Sequence, residues 1–398
     1  MSQALSQGPG RPRRAGSRTL IRIAAVRLGA VVGRVSPTRR RVVLATAHGS
    51  AISGNLVFIR DELARRDPPI PTVVLAWPIP RSMAQRFANV WHEVVAGYHL
   101  ASARVFVVDD YFFPRYATGH RRGTTTAQVW HACGAFKRFG YSVLDRAFGA
   151  GEADVRRTPI HTNYDVCLVS SMAVAPAYAE AFHQPLERFA SRYGIPRTDV
   201  FFGDERVAAV ATVRARYAIP DDRRVVLYAP TFRGDSIGRA QTPDTLDLGI
   251  LRRTLGDDHV VLLRLHPFVR ERAALDPGLQ DFVIDVSDHP DIDELMLVSD
   301  VLVTDYSSAI YEFSLLGRPM AFFAPDHDAY ERERGFYFDY RTGVPGPVFE
   351  TTDALAAYLR DGVFDLDRVE RFRQASFDVA DGRSTERFVD EVILPALG

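Results

Sequence analysis

The run Ser299 to Pro319, SDVLVTDYSSAIYEFSLLGRP, gathers two hydroxyls and two carboxylates around one turn of chain. Val301 to Val303 is a short apolar run rich in β-branched residues, which reads as a buried parallel strand ending at Thr304 and Asp305. Ser307 and Ser308 are N-cap types for the helically spaced segment Ala309 to Leu316, and Gly317 with Pro319 stops it. A strand that delivers hydroxyls and backbone N–H groups to a helix N-terminus makes a site for a phosphate group. Glu312 stands one turn beyond Ser308 on the same face, where a carboxylate can accept hydrogen bonds from ribose hydroxyls. The same spacing also describes a capped crossover helix in any α/β protein, with Asp305 bonding turn amides.

Other residues with chemical use follow apolar runs in the same way. The runs Arg41 to Ala47, Thr72 to Trp77, Arg104 to Asp109, Ala127 to Trp130 and Tyr164 to Val169 alternate with helix-like segments such as Leu56 to Arg66. A second series follows: Arg224 to Ala229, His259 to Leu265, Phe282 to Val286, Val301 to Thr304 and Met320 to Phe323. This alternation predicts two doubly wound parallel sheets in tandem. Ligands of such sheets bind beyond the carboxyl ends of the strands. There the chain places His48 and Gly49, then His131, Gly134 and Lys137, then Pro230, Thr231 and Arg233, then Arg264 and His266. Sheets facing each other across a cleft would converge these residues on one site. Blander readings make His266 a turn residue, Lys137 a solvated helix residue, and Phe336, Tyr337, Phe338 and Tyr340 core rather than a ligand platform.

The 398 residues, 46% of them hydrophobic, suffice for two ordinary domains. The expected boundaries are a basic extension over 1–40, one Rossmann-like domain over 41–203, a second over 204–380, and a C-terminal helix, 381–398, that packs back on the first. The formal net charge is zero, yet residues 1 to 41 hold ten Arg and no acid, so tail and body need separate explanations. Residues 1 to 18 read as disordered. Thr19 to Gly33 is apolar but interrupted by Arg22 and Arg27, too short and too charged to span a bilayer, and it lacks a signal-peptide cleavage pattern. Its arginine-rich flanks suit an anionic membrane surface, each basic residue contributing about 1 kcal/mol. A disordered leader, or a helix packed on its own domain, is the alternative.

Cys133 and Cys167 form neither a disulfide framework nor a zinc pattern and read as packing residues of a reducing compartment. The cluster His289, Asp291, Asp293 and Glu294 reads as a helix cap and solvated face, and Asp109 with Asp110 as strand-end turn formers, with a metal pair as the alternative. No cofactor is firmly implied, and a divalent metal is left open. Lys137 is the single lysine beside 48 arginines.

Together YAPTFR, RLHP, the SDVLVTDYSSAIYEFSLLGRP run with MAFFAPD after it, and RGFYFDY resemble the CDP-glycerol glycerophosphotransferase family of teichoic acid and capsule polymerases and primases, over roughly residues 41 to 392. WHACGAFKRFG stands where that family has WHGTPLKKLG; the His and Lys match, while Gly-Thr-Pro has become Ala-Cys-Gly. GIPRTD, Gly194 to Asp199, is similar to the family's linker motif. The resemblance implies a GT-B-like α/β fold and peripheral association with the cytoplasmic face of the membrane. It also implies transfer of polyol phosphate from CDP-glycerol or CDP-ribitol to a hydroxyl of a lipid-linked acceptor, with release of CMP. It implies His131 as base, His266 as donor-phosphate histidine, Ser307 and Ser308 as the phosphate pair, Glu312 on the nucleotide side, and Pro230 with Thr231 as nucleotide contacts. Arg233 and Arg264 are expected beside the donor, and Lys137, His48 and Asp305 are candidate phosphate or acceptor contacts. No nucleic-acid partner is expected.

Attack of a hydroxyl on the distal phosphorus of a CDP-polyol needs a base and positive or N–H character around the phosphates. A neutral histidine accepts that proton near pH 7 without a large pKa shift. Arg233, Lys137 and a helix N-terminus are expected to serve where many polymerases use two metals. Two other classes compete: a GT-B nucleotide-sugar glycosyltransferase, against which the DYSS run and paired histidines count, and a non-catalytic membrane-associated scaffold, against which both histidines count.

Overall fold

The computed structural model describes residues 17–398 apart from 48, 78–82, 145–154, 156–157, 235–240, 243–245, 268 and 270–273. Residues 1–16 of the basic leader, and His48, therefore lie outside the described residues. The two series of five apolar runs, each joined by one further two-residue strand, form two six-stranded parallel sheets. The first holds β1 (Arg39–Thr46), β2 (Thr72–Ala76), β3 (Ala103–Val108), β4 (Thr125–Gln128), β5 (Val166–Leu168) and β6 (Phe189–Ala190), in the order β2-β1-β3-β4-β5-β6. The second holds β7 (Arg224–Ala229), β8 (His259–Leu263), β9 (Val283–Asp285), β10 (Val301–Thr304), β11 (Met320–Phe323) and β12 (Val348–Phe349), in the order β12-β11-β10-β7-β8-β9. Val42, Val43 and Leu44 pair in register with Val105, Phe106 and Val107, and all six are buried, because helices cover both faces of the sheet.

Helix α1 (Ser17–Val35) is an integral part of the first domain. α2 (Asn55–Arg65) and α3 (Met83–Ser102) pack on that sheet, and α1 lies directly along α3. A Cβ added to Gly97 of α3 would stand 2.0 Å from the Val26 carbonyl oxygen, so glycine is what lets the two backbones approach this closely. Arg22 Nε donates to Glu93 Oε1 at 2.7 Å across the same interface. The opposite face of α1 exposes Leu20, Ile21, Leu28, Val31, Val32 and Val35 at helical spacing, an apolar stripe with Arg27 and Arg34 along one edge. Among the described residues no helix is long and apolar enough to cross a membrane.

A seam joins the two sheets. The Arg138 N–H donates to the Gly335 carbonyl at 3.0 Å, and the Tyr337 N–H to the Phe136 carbonyl at 3.2 Å. The Phe136 ring lies against Phe336, Phe338 and Tyr340, so these aromatics serve as core. A Cβ on Gly134 would fall 2.1 Å from the Tyr311 ring, which ties the Ala-Cys-Gly variation to close packing between domains. In the connection, Asp199 accepts the backbone N–H groups of Ser384 and Thr385 at 2.9 and 2.8 Å and so anchors the Ser384–Phe388 helix, which meets α2. The Leu394–Leu397 turn then reaches β3, returning the C-terminus to the first domain.

Candidate active site

Strand ends of both sheets enclose a cleft cavity of about 340 Å3. His131 enters it from β4 through a turn at Trp130, whose φ of 52° lies in the left-handed region. For a bulky residue that conformation costs on the order of 1–3 kcal/mol, so its surroundings must hold it. They do so by hydrogen bonds: the Trp130 N–H donates to Gln128 Oε1 at 2.9 Å, and its carbonyl accepts from Asn55 Nδ2 at 2.9 Å. The His131 ring stacks on Trp130, with centroids 4.4 Å apart. Its Nδ1 lies 3.3 Å from the Asp109 carbonyl oxygen and 3.7 Å from an Asp110 carboxylate oxygen. With Nδ1–H donating there, the lone pair sits on Nε2.

Across the cavity, Pro230 and Thr231 follow β7, and Arg264 and His266 follow β8. Burial, then the Lys137 and Arg264 cations, push His266 down to about 4, so its imidazole is neutral near pH 7. Cations of both domains thus act on one uncharged ring. Lys137 itself lines a second cavity, of about 450 Å3, with Tyr111, Trp130 and Phe139 among its walls. His131 and Ser308 line both cavities and mark where they meet. Ser307 lines the first, its hydroxyl accepting the Ala309 N–H at 3.2 Å.

Arg233 and Glu312, expected at the donor, line neither cavity. Arg233 Nε and Nη2 donate to Asp326 at 2.6 and 3.1 Å, and Nη1 donates to the Thr231 carbonyl at 2.8 Å. The same Nη1 lies 2.9 Å from Asp305 Oδ2, an ionic contact without directed hydrogen-bond geometry. Two carboxylates neutralise this guanidinium inside its own domain. Asp305 Oδ1 accepts the Thr231 N–H, the Thr231 hydroxyl and the Tyr306 N–H at 2.8, 2.9 and 2.6 Å, which is the structural alternative for that residue. Glu312 is fully buried and paired with Arg197, so the helix face expected to meet a ribose is turned instead to the interdomain connection.

Arg197 was not singled out from the sequence, and Asp293 was assigned a different role. Arg197 sits in GIPRTD, where the motif itself was the only signal. Besides Glu312, it donates through Nη1 to the His131 carbonyl at 3.0 Å and through its backbone N–H to Asn55 Oδ1 at 2.9 Å. Asn55 thereby fixes α2, the exit of β4 and the connection together. Asp293 was expected on a solvated face; its neighbour Asp291 does cap the Ile292–Val298 helix, accepting the Asp293 N–H at 2.9 Å. The Asp293 carboxyl, however, is buried, lines the first cavity, and keeps Oδ1 without a hydrogen-bond partner. Burial pushes it up to about 7; Arg197 opposes the shift, while Asp291 and Glu312 add to it.

A folded-state value above the ordinary one means that the folded protein binds more protons than the unfolded chain. The associated stability is present at low pH and is lost as pH rises from about 4 through about 7. Asp293→Asn removes this loss. The stability of the variant relative to wild type should therefore increase between pH 5 and pH 8 in thermal melts, and a pH-independent gap would contradict the buried assignment.

Two parallel-sheet α/β domains meeting at their strand ends define the GT-B-like class of folds. The chain belongs to the CDP-Glycerol:Poly(glycerophosphate) glycerophosphotransferase family, whose profile matches residues 30–394. It is 39% identical to the teichoic acid ribitol-phosphate primase of Bacillus spizizenii over 354 residues, 88% of this chain and 90% of that protein. It is 34% identical to the teichoic acid poly(ribitol-phosphate) polymerase of the same organism over 92% of this chain, and spans 58% of that longer protein. A solved structure of the wall teichoic acid polymerase TagF soaked with CDPG is 25% identical, with a TM-score of 0.75 and 94% of each chain covered.

Proposed function

We propose that this chain transfers glycerol phosphate or ribitol phosphate from a CDP-polyol to a hydroxyl of a lipid-linked acceptor, releasing CMP, in teichoic acid or related cell-wall polymer synthesis. The observation that carries this reading is the convergence of His131 from one domain with Thr231, His266, Ser307 and Ser308 from the other on one cleft cavity of a family member. The donor diphosphate meets those cations together with the hydroxyls of Ser307 and Ser308, and the nucleoside lies toward Pro230 and Thr231. The acceptor hydroxyl enters from the Lys137 cavity and reaches His131. His131 Nε2 takes its proton as the oxygen attacks the distal phosphorus; the bond from that phosphorus to the CMP oxygen breaks, and the electron pair leaves with CMP. Lys137 and Arg264 offset the charge that develops on the leaving group, and His266 donates one N–H to a phosphate oxygen.

Donor titration tests this directly. Ser308→Ala removes one hydroxyl where the two cavities meet, and it is expected to cost about 1–3 kcal/mol in CDP-glycerol affinity or transition-state binding. Calorimetry beside a melting curve checks it; unaltered affinity with a lowered melting temperature would make Ser308 a structural residue only.

The exposed stripe of α1 supports a place on the anionic cytoplasmic membrane surface, where the lipid of the acceptor resides. Replacing Ile21, Leu28 and Val32 together by Glu should weaken binding to anionic vesicles at least about tenfold, since each removes apolar area worth about 1 kcal/mol or more on insertion. Because all three side chains are exposed, the melting temperature should barely move. Vesicle binding equal to wild type in a sedimentation assay would remove the stripe from the interface.

A further inference from the structure

A third cavity, of about 360 Å3, opens in the first domain beyond the ends of β1, β2 and β3. Its walls include Arg22 of α1, Trp77, Tyr111, and Asn89, His92 and Glu93 of α3. Tyr111 also lines the Lys137 cavity, so the two spaces are neighbours across one side chain. Phosphate transfer as derived above uses none of these groups.

The lining has a definite chemical character. Arg22 and Glu93 neutralise each other at 2.7 Å, which leaves no net charge to attract a phosphate or a cation. Glu93 is only 4% exposed; its Oε1 takes Arg22, the Asn89 amide stands within bonding reach of the carboxylate, and Oε2 has no directed hydrogen bond. The Nδ1 of His92 is likewise buried without a partner. Orphaned buried groups of this kind are costly, and a ligand hydroxyl that pairs with them recovers the loss. His92 stacks on Trp77, centroids 4.5 Å apart and planes within 7°, which makes a flat, stiff wall beside those atoms. Neutral hydrogen-bonding groups set beside an aromatic plane complement a ring with hydroxyls around its edge and C–H groups on its faces.

We propose that this cavity is a carbohydrate subsite, holding a neutral pyranose of the acceptor between the α1 stripe and His131. The assignment of that ring to the acceptor rests on the reading that the acceptor is lipid-linked. From the stripe the acceptor then runs through this cavity, past Tyr111, into the Lys137 cavity, with its terminal hydroxyl at His131.

Two synthetic acceptors test it with the full-length protein and CDP-glycerol. Both are dodecyl lipids ending in glycerol phosphate; one carries a β-glucopyranose between lipid and phosphate, the other an ethylene-glycol spacer of equal length. Wild type should show a KM at least about tenfold lower for the sugar-bearing acceptor. His92→Phe keeps a ring on Trp77 but removes Nδ1, and Asn89→Ala removes an edge amide. Each should abolish most of that preference while leaving kcat on the spacer acceptor and the CDP-glycerol dissociation constant unchanged. Methyl β-glucopyranoside titrated against tryptophan fluorescence gives a turnover-independent arm: saturable binding to wild type, weakened in His92→Phe. If neither acceptor turns over with CDP-glycerol or with CDP-ribitol, the transferase reading fails and the titration still decides the cavity. Equal KM values in wild type, a preference that survives both variants, or no saturable binding of the glycoside would overturn the subsite.

Discussion

His131→Ala is expected to lower turnover with CDP-glycerol by at least about a hundredfold, the usual scale for loss of a positioned base, while the protein stays folded. The imidazole side chain is 42% exposed at the cleft, so its removal sacrifices little packing. What it removes is the proposed proton acceptor, which the Trp130 turn holds in place. Donor affinity should be close to wild type, because the proposed phosphate contacts, Lys137 of the same strand end included, are left in place. His266→Ala should lower turnover by a comparable factor and weaken the donor as well, since its ring lines the cleft cavity beside Thr231 and Ser307. Held down to about 4, His266 does not titrate between pH 5 and 8, so an acidic limb of activity in that range must come from another group. Single-turnover rates beside calorimetric donor titrations separate the two residues; near-normal turnover in either variant would remove that residue from the mechanism.

Arg197→Met should destabilise the fold by about 3–5 kcal/mol, because it leaves the Glu312 carboxylate buried without its counter-charge. Glu312 has no exposed surface, and Arg197 reaches it from the connection between domains, while its other nitrogens hold the His131 carbonyl and Asn55. Pairing Arg197→Met with Glu312→Leu should recover much of that loss, since replacing both members of a buried ion pair by apolar groups is often close to neutral. Turnover should stay low in the double variant, because the tie between the His131 turn and the second domain is gone. Denaturant unfolding of the single and double variants checks this. A single-variant loss below about 1 kcal/mol would mean that the pair is solvated and structurally unimportant.

The sequence is most informative where periodicity is strong. Apolar runs at Arg224–Ala229, Val301–Thr304 and Met320–Phe323 coincide with β7, β10 and β11, whereas β6 and β12 escape notice because two residues carry no alternation. The strand-end rule places His131, His266, Thr231, Ser307 and Ser308 on one cleft, since chain direction in a parallel sheet dictates which end they occupy. Arg233, placed by that rule, and Glu312, placed by helix spacing from Ser308, line neither cavity because a side chain's direction depends on partners remote in sequence: Asp326 lies 93 positions from Arg233, and Arg197 lies 115 from Glu312. The amphipathic character of α1 is legible, but its second contact is not. Gly29 and Gly97 meet backbone of the opposing helix, and glycine spacing does not name its partner. Asp293 looks like any acidic first-turn residue until tertiary packing buries it.

The most direct measurement is nucleotide release from a panel of donors. Full-length protein incubated with a polyol-phosphate-terminated lipid acceptor should release CMP from CDP-glycerol or CDP-ribitol and nothing from UDP-sugars. His131→Ala in the same assay should be slower by at least about a hundredfold. Release of UDP from a UDP-sugar, or no nucleotide from either CDP-polyol, would contradict polyol-phosphate transfer as the reaction of this cleft.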